Sequence, residues 1–246
     1  MFTYQAPVDL LKDRIVLVSG AGSGLGRAAA LAYAQHGAKV ILLGRNLQKL
    51  EATYDAIEAA GAAEPILITL DLEKAGEAEY SELAATLTRE FGQLDGLLHS
   101  AGLSSATLPL EHVSLFTWLQ LIQVNLNAAF ALTRYCLPLL RQAPLASVIF
   151  TSARAGREAR AYQGPYAVAK HGIEALAQLF HQELASTSRV RFNTLDPGPC
   201  ATALRKVNFP SENPAKLPSP MELMPLYLYL MGDTSSGEHG KQFSAQ

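Results

Sequence analysis

The chain has 246 residues, 49% of them hydrophobic and 17% charged, and a formal net charge of -2. That composition can bury one sizeable α/β core but offers no basic footprint for nucleic acid, and no apolar run approaches the ~20 residues of a membrane span. Acidic and polar side chains break up residues 1–13, so we expect a soluble cytoplasmic protein, a single domain over 1–246, with no membrane or nucleic-acid partner.

Short, continuously apolar runs predict strands at 15–19, 40–43, 66–70, 96–99, 147–151 and 190–195. Val, Ile and Leu without polar alternation suit strands covered on both faces, and the helical stretches between them require right-handed crossovers and parallel pairing. The predicted fold is therefore a Rossmann-type doubly wound parallel sheet with helices on both sides.

Directly after the first strand comes Ser19-Gly20-Ala21-Gly22-Ser23-Gly24-Leu25-Gly26, opening an alanine-rich helix. Glycines there let backbone N–H groups approach a phosphate, and the helix N-terminus adds a favourable dipole, so this turn is the expected dinucleotide phosphate site. Strand two ends in Leu43-Gly44-Arg45. Where NAD-binding folds place an acid on the ribose hydroxyls, an arginine suits a 2′-phosphate, which favours NADP(H) over NAD(H). A solvated loop arginine would leave NAD(H) open, and Ser23 adds no second basic group in the glycine turn. Asp71, at the end of strand three, either hydrogen-bonds an adenine amine or caps the next helix.

Further on, Leu115, Leu119, Ile122, Leu126 and Phe130, then Ile173, Leu176, Phe180 and Leu184, recur at helical spacing. Tyr166 and Lys170 sit four apart at the head of the second stretch, which puts an ammonium beside a phenol on one helix face. The amine is expected to pull the phenol below its usual pKa of ~10, making Tyr166 a proton donor and acceptor. Residues 197–220 hold six prolines, and an irregular segment of that length is expected to be a substrate loop over about 199–220. Arg154, Arg157 and Arg160 either recruit an anionic substrate or make surface and subunit contacts. The six histidines and two cysteines show no metal-ligand spacing, so no metal is expected. His99 reads as a packed neutral histidine, and Cys136 as core.

Gly20, Gly24 and Gly26, Asp71-Leu72, His99-Ser100-Ala101-Gly102, Asn125, Tyr166-x-x-x-Lys170, and Pro197-Gly198 with Thr202 together resemble the short-chain dehydrogenase/reductase superfamily, over essentially the whole chain. The segments "DLLKDRIVLVSGAG" and "LYLYLMG…GKQFSAQ" are similar, more narrowly, to its YciK-like bacterial branch. The resemblance implies hydride exchange between a nicotinamide and a small carbonyl or alcohol, with Tyr166 as general acid/base. It implies that Lys170 binds the nicotinamide ribose and that Asn125 holds a water in a proton relay, the alternative for Asn125 being a packing role. Ser100, Ala101 and Gly102 would pass the adenosine ribose, and Pro197, Gly198 and Thr202 would meet the nicotinamide end and pyrophosphate. It further implies a homo-oligomer, dimer or tetramer. Two positions depart from the family pattern. Ser100 stands where an asparagine usually supports the strand, and the family's catalytic serine, thirteen residues before Tyr166, falls on Ala153. Ser152 is expected to face away; Ser104 or Ser105 could reach the same oxygen. The expected protein is a slow or narrow enzyme or, alternatively, an NADP(H)-binding sensor or scaffold with little turnover.

Overall fold

Alternating apolar side chains on each central strand have to be covered twice, and the chain supplies one helical layer per face. The computed structural model describes residues 1–246. Its strands are β1 (Ile15–Ser19), β2 (Lys39–Gly44), β3 (Ile66–Thr69), β4 (Gly96–His99), β5 (Ser147–Thr151), β6 (Arg191–Asp196) and β7 (Gln242–Ser244). They form one sheet in the order β3-β2-β1-β4-β5-β6-β7, parallel at every pairing. Val16, Val18, Val40, Leu42, Leu98 and Ile149 point to the face covered by α1 (Gly24–Gln35) and α8 (Met224–Met231). Leu17, Ile41, Leu43, Leu97, Val148 and Phe150 point to the other, packed by α3 (Glu77–Phe91), α5 (Ala128–Leu140) and α6 (Gly164–Leu184). The doubly wound reading thus holds, with strand ends within one residue of those expected.

Three features differ from the sequence reading. β7 was not anticipated: its three residues carry no apolar run, and it exists because Gln242, Phe243 and Ser244 pair with Thr194, Leu195 and Asp196. The proline-rich segment is less irregular than expected, because Thr202 accepts a hydrogen bond from Arg205 N at 3.1 Å and starts α7 (Ala203–Asn208). Finally, α4 (Leu115–Ile122) and α5 join through a π-helical turn, Gln123–Asn127, into one 26-residue apolar helix long enough to cross a membrane by length and composition. The estimate of apolar run length missed it because Gln120, Gln123, Asn125 and Asn127 interrupt the run. Its Ala128, Leu132, Cys136 and Leu139 belong to the sheet core, so the α5 half packs on the sheet, while Leu115, Phe116 and Leu119 of the α4 half are exposed.

Strand order reverses between β1 and β4, which run outward to opposite sides, so their C-terminal ends open a crevice. Close approach there depends on Gly20, with φ +71° and a position where a Cβ would lie 2.7 Å from Ala101 N. The other tight point is Gly156, in the 3₁₀ turn after β5, where a Cβ would lie 2.7 Å from Lys170 O. Nothing larger than glycine lets that turn rest on α6. Gly156→Ala should therefore cost about 1–3 kcal/mol of unfolding free energy in urea; an unchanged midpoint would show that α6 can yield.

Candidate functional site

The crevice is a cavity of about 660 Å³. Its walls include Gly20, Ser23, Gly24, Leu25, Arg45, Asp71, Leu72, Ser100, Ala101, Gly102, Asn125, Tyr166, Lys170, Pro197, Gly198 and Thr202. Of the residues assigned from sequence to catalysis or cofactor binding, Gly26 alone lies behind the wall, buried under Gly20, whose carbonyl occupies the space a Cβ would need.

The dinucleotide end has the character expected of a phosphate cradle. Asn46 and Thr202 cap α2 (Leu47–Ala59) and α7 with their side chains, whereas Ser23 makes no side-chain cap on α1. The α1 N-terminus, with no acidic residue in its first turn, faces the cavity wall at Gly24, a geometry suited to an anion. Thr202 Cγ2 lies 3.5 Å from where a Cβ of Gly24 would be. The missing strand asparagine is compensated: Ser19 Oγ accepts from Ser100 N (3.1 Å) and Ala101 N (3.3 Å) and donates to Leu98 O. Arg45 is exposed and pairs with Glu73 at 3.3 Å, and Glu73 in turn accepts from Gln120 at 2.8 Å. Asp71 caps no helix. Its carboxylate accepts from Glu73 N in a local turn, and α3 is capped by Gly76 and Glu79 instead.

At the other end, Pro165 sits at the start of α6 and sets the first helical turn, so Tyr166 and Lys170 share a face as expected. Lys170 is buried, donates to Thr151 O at 2.7 Å, and lies 5.7 Å from the Tyr166 ring centroid. The expected lowering of the Tyr166 pKa does not follow from this geometry. Burial pushes the phenol up to about 12, Asp196 adds to the rise, and Arg205 opposes it. Burial also lowers Lys170 to about 8, against the pull of Glu174 and Asp196. Desolvation is the largest cause for both groups.

Ala153 is extended and lines the cavity, in the register counted from Tyr166. Ser152 is buried with no partner for its hydroxyl, which lies 2.8 Å from where a Cβ of Gly156 would be, packed under the α6 side. Ser104 and Ser105 line the cavity, and the Ser104 hydroxyl donates to Asn208 Oδ1 on α7. The Asn125 side chain is committed to backbone: it donates to Leu103 O (3.0 Å) and Leu121 O (2.9 Å) and accepts from Leu103 N (3.2 Å). His99 is a core histidine, bonded to Thr133 at 2.8 Å and stacked on Phe150, with burial driving its pKa down to about 3 and Lys170 adding to the drop. The arginine triplet divides. Arg154 and Arg160 line the cavity but share Glu158, while Arg157 turns away to Glu174 and β7.

Comparison with known proteins agrees with this architecture. A family model described as short chain dehydrogenase matches residues 14–213. The chain belongs to that family. It is 42% identical over 243 residues to the uncharacterized oxidoreductase YciK of Escherichia coli K12, covering 99% of this chain and 96% of that one. A solved chain from Shigella flexneri 2a, complexed with NADP, superposes with a TM-score of 0.95 at 42% identity, covering 98% and 100% of the two chains. Another from E. coli CFT073, complexed with NADPH, gives 0.94 at 43%, covering 98% and 99%.

Within this short-chain dehydrogenase site, sequence reading missed Asp196, Arg205, Glu73, Lys49 and Asn208. Asp196 was the most findable, since it ends a parallel strand where such sheets bind ligands. Lys49 lies four residues past Arg45, and its Cβ lies 2.9 Å from where a Cβ of Gly22 would be. It also lines the cavity.

The Lys170 value carries a sign that can be measured. Between about 8 and its unfolded value of ~10.4, the unfolded chain holds a proton that the folded one does not, so stability rises with pH through that window. Relative to Lys170→Met, the native chain should gain thermal stability between pH 8 and pH 10 in scanning calorimetry. A difference that stays flat with pH would refute a depressed amine.

Proposed function

We propose that this short-chain dehydrogenase is an NADP(H)-dependent oxidoreductase that interconverts a small carbonyl compound and its alcohol, with Tyr166 as general acid/base. The observation that carries this reading is Tyr166 and Lys170 together on the wall of the cavity whose other end is the glycine turn. A bound nicotinamide would supply the hydride; the protein's part is placement and the proton. A phenol raised to about 12 is protonated at neutral pH and is ready to donate to a carbonyl oxygen. Lys170, Pro197, Gly198 and Thr202 are suited to the nicotinamide ribose and pyrophosphate. Ser23, Gly24 and Leu25 suit the phosphates, and Asp71, Leu72 and Ser100–Gly102 the adenosine.

Arg45, with Lys49 beside it, favours a 2′-phosphate, and the NADP and NADPH complexes of similar chains support that preference. A second cavity of about 10 Å³ lies between Asn125, Thr151, Lys170 and His99. It has room for about one water, which supports a relay past Asn125 to Lys170. Residues 199–220 would close the substrate end, with Leu204, Asn208 and Phe209 on the wall. Exposed Leu115, Phe116, Leu119, Phe130 and Leu179 are suited to pairing between copies of the chain. An intracellular setting fits both the cofactor and two unpaired buried thiols.

Ala153 favours a second reading, an NADP(H)-binding protein with little turnover. Two experiments separate the readings. Against a panel of aldehydes and ketones, Tyr166→Phe should cut NADPH oxidation at least about a hundredfold with NADPH fluorescence titration unchanged, and Ala153→Ser should raise it by up to about a hundredfold. Tight NADPH binding without turnover in any variant favours the second reading. Arg45→Ala should weaken NADPH about tenfold and leave NADH unaltered; equal loss of both would overturn the 2′-phosphate assignment.

A further inference from the structure

The segment after β6 that borders the Tyr166 end of the cavity is Pro197-Gly198-Pro199. Two of its three residues have no N–H to donate, so it cannot hold itself by a backbone ladder. Its one N–H, on Gly198, goes to Asp196 Oδ1 at 2.8 Å. Its carbonyls at Pro197 and Pro199 both accept from Gln246 Nε2, each at 2.8 Å. Gly198 has φ +71°, and the space a Cβ would take is filled by the Gln246 side chain, 2.7 Å from its Nε2. One amide from the far end of the chain thus bridges the two prolines.

Gln246 is itself held from behind. Ala245 N donates to Asp196 O at 2.9 Å, and Arg157 donates to Phe243 O at 2.8 Å and Ser244 Oγ at 2.9 Å. The same guanidinium pairs with Glu174 at 3.0 Å, and Glu174 accepts from Thr194 Oγ1 at 2.6 Å. Glu174 lies one turn beyond Lys170 on α6. Contacts therefore run continuously from the helix that carries Tyr166 and Lys170, through Arg157 and β7, to the 197–199 turn on the other side of the cavity.

We infer that residues 242–246 act as a buckle and that Gln246 is a positioning residue, fixing the 197–199 turn at the nicotinamide end of the dinucleotide site. This rests on the cofactor reading proposed above. The nicotinamide half is common to NADPH and NADH, so loosening the turn should weaken both equally, unlike a change at Arg45. Gln246 is solvent-exposed, and replacing it removes no core contact.

The test is Gln246→Ala and Gln246→Glu in the full chain, read in two ways. Amide hydrogen exchange of the cofactor-free protein should show faster exchange at Gly198 and its neighbours, with an unchanged melting temperature. NADPH and NADH titrations should each weaken about fivefold for the alanine variant, and more for glutamate, whose carboxylate would face two carbonyl oxygens. Exchange at Gly198, the one amide of the turn, identical to the native chain would overturn the inference, as would faster exchange with both affinities intact, or a glutamate variant that binds like the native one. If the native chain binds neither nucleotide while the alanine variant still exchanges faster, the turn is fastened as inferred and the cofactor reading is what fails.

Discussion

Lys170 is where the fold and the chemistry of this chain meet. An ammonium taken out of water costs several kcal/mol unless it finds acceptors, and here it finds the Thr151 carbonyl at 2.7 Å. That carbonyl is available because β5 ends at Thr151, and the turn that follows can lie against α6 because residue 156 is glycine. The bond ties the end of a central strand to the first turns of α6, and it thereby sets the position of Tyr166 one turn earlier. The lysine cannot serve two masters equally. Burial, aided by Asp196, governs the phenol instead, which is why Tyr166 sits above its ordinary pKa rather than below it.

Much of this was legible from residue types alone. Apolar strands covered on both faces, a glycine turn before an alanine-rich helix, and an i, i+4 tyrosine–lysine pair each have a local physical cause, so pattern and structure agree. What escaped were features whose cause is distant in sequence. β7 has no apolar signature of its own and exists only against β6. The role of Ser19 as surrogate for the missing asparagine depends on β1 lying beside β4, and a strand serine says nothing of that. Arg157 looked like one of three equivalent arginines; only the fold sends it to Glu174 and β7 while its neighbours reach the cavity. Desolvation too is a tertiary quantity, and the sign of the Tyr166 shift turned on it.

The arginines of the cavity are each paired with a carboxylate. Arg45 is matched by Glu73, Arg154 and Arg160 share Glu158, and Arg205 makes a two-point contact with Glu212 at 2.7 and 2.9 Å while lying over Phe209. A polar substrate carrying a negative charge would have to compete with a carboxylate already in place at each site. The apolar wall of Leu103, Leu108, Val113, Leu204 and Phe209 has no such competitor. On the reading proposed here, the anionic recognition in this protein belongs to the nucleotide end, where the α1 N-terminus contributes without a side-chain rival.

Ala153 has to be weighed against that background. Removing one preorganised donor to a developing oxyanion costs about 2.7–4 kcal/mol of transition-state stabilisation, whereas on the proposed reading proton delivery and cofactor placement fall to other groups. The Ser104 hydroxyl, engaged with Asn208 across the cavity, is the nearest thing to a substitute on the wall, yet its proton is already donated to Asn208. To serve a substrate oxygen it would first have to leave that partner, and α7 would lose its tie to the loop after β4. A substrate bond to Ser104 would thus come at the expense of one the protein already makes. On the reading proposed here, the site favours a carbonyl compound that binds through apolar contact and takes its proton from Tyr166.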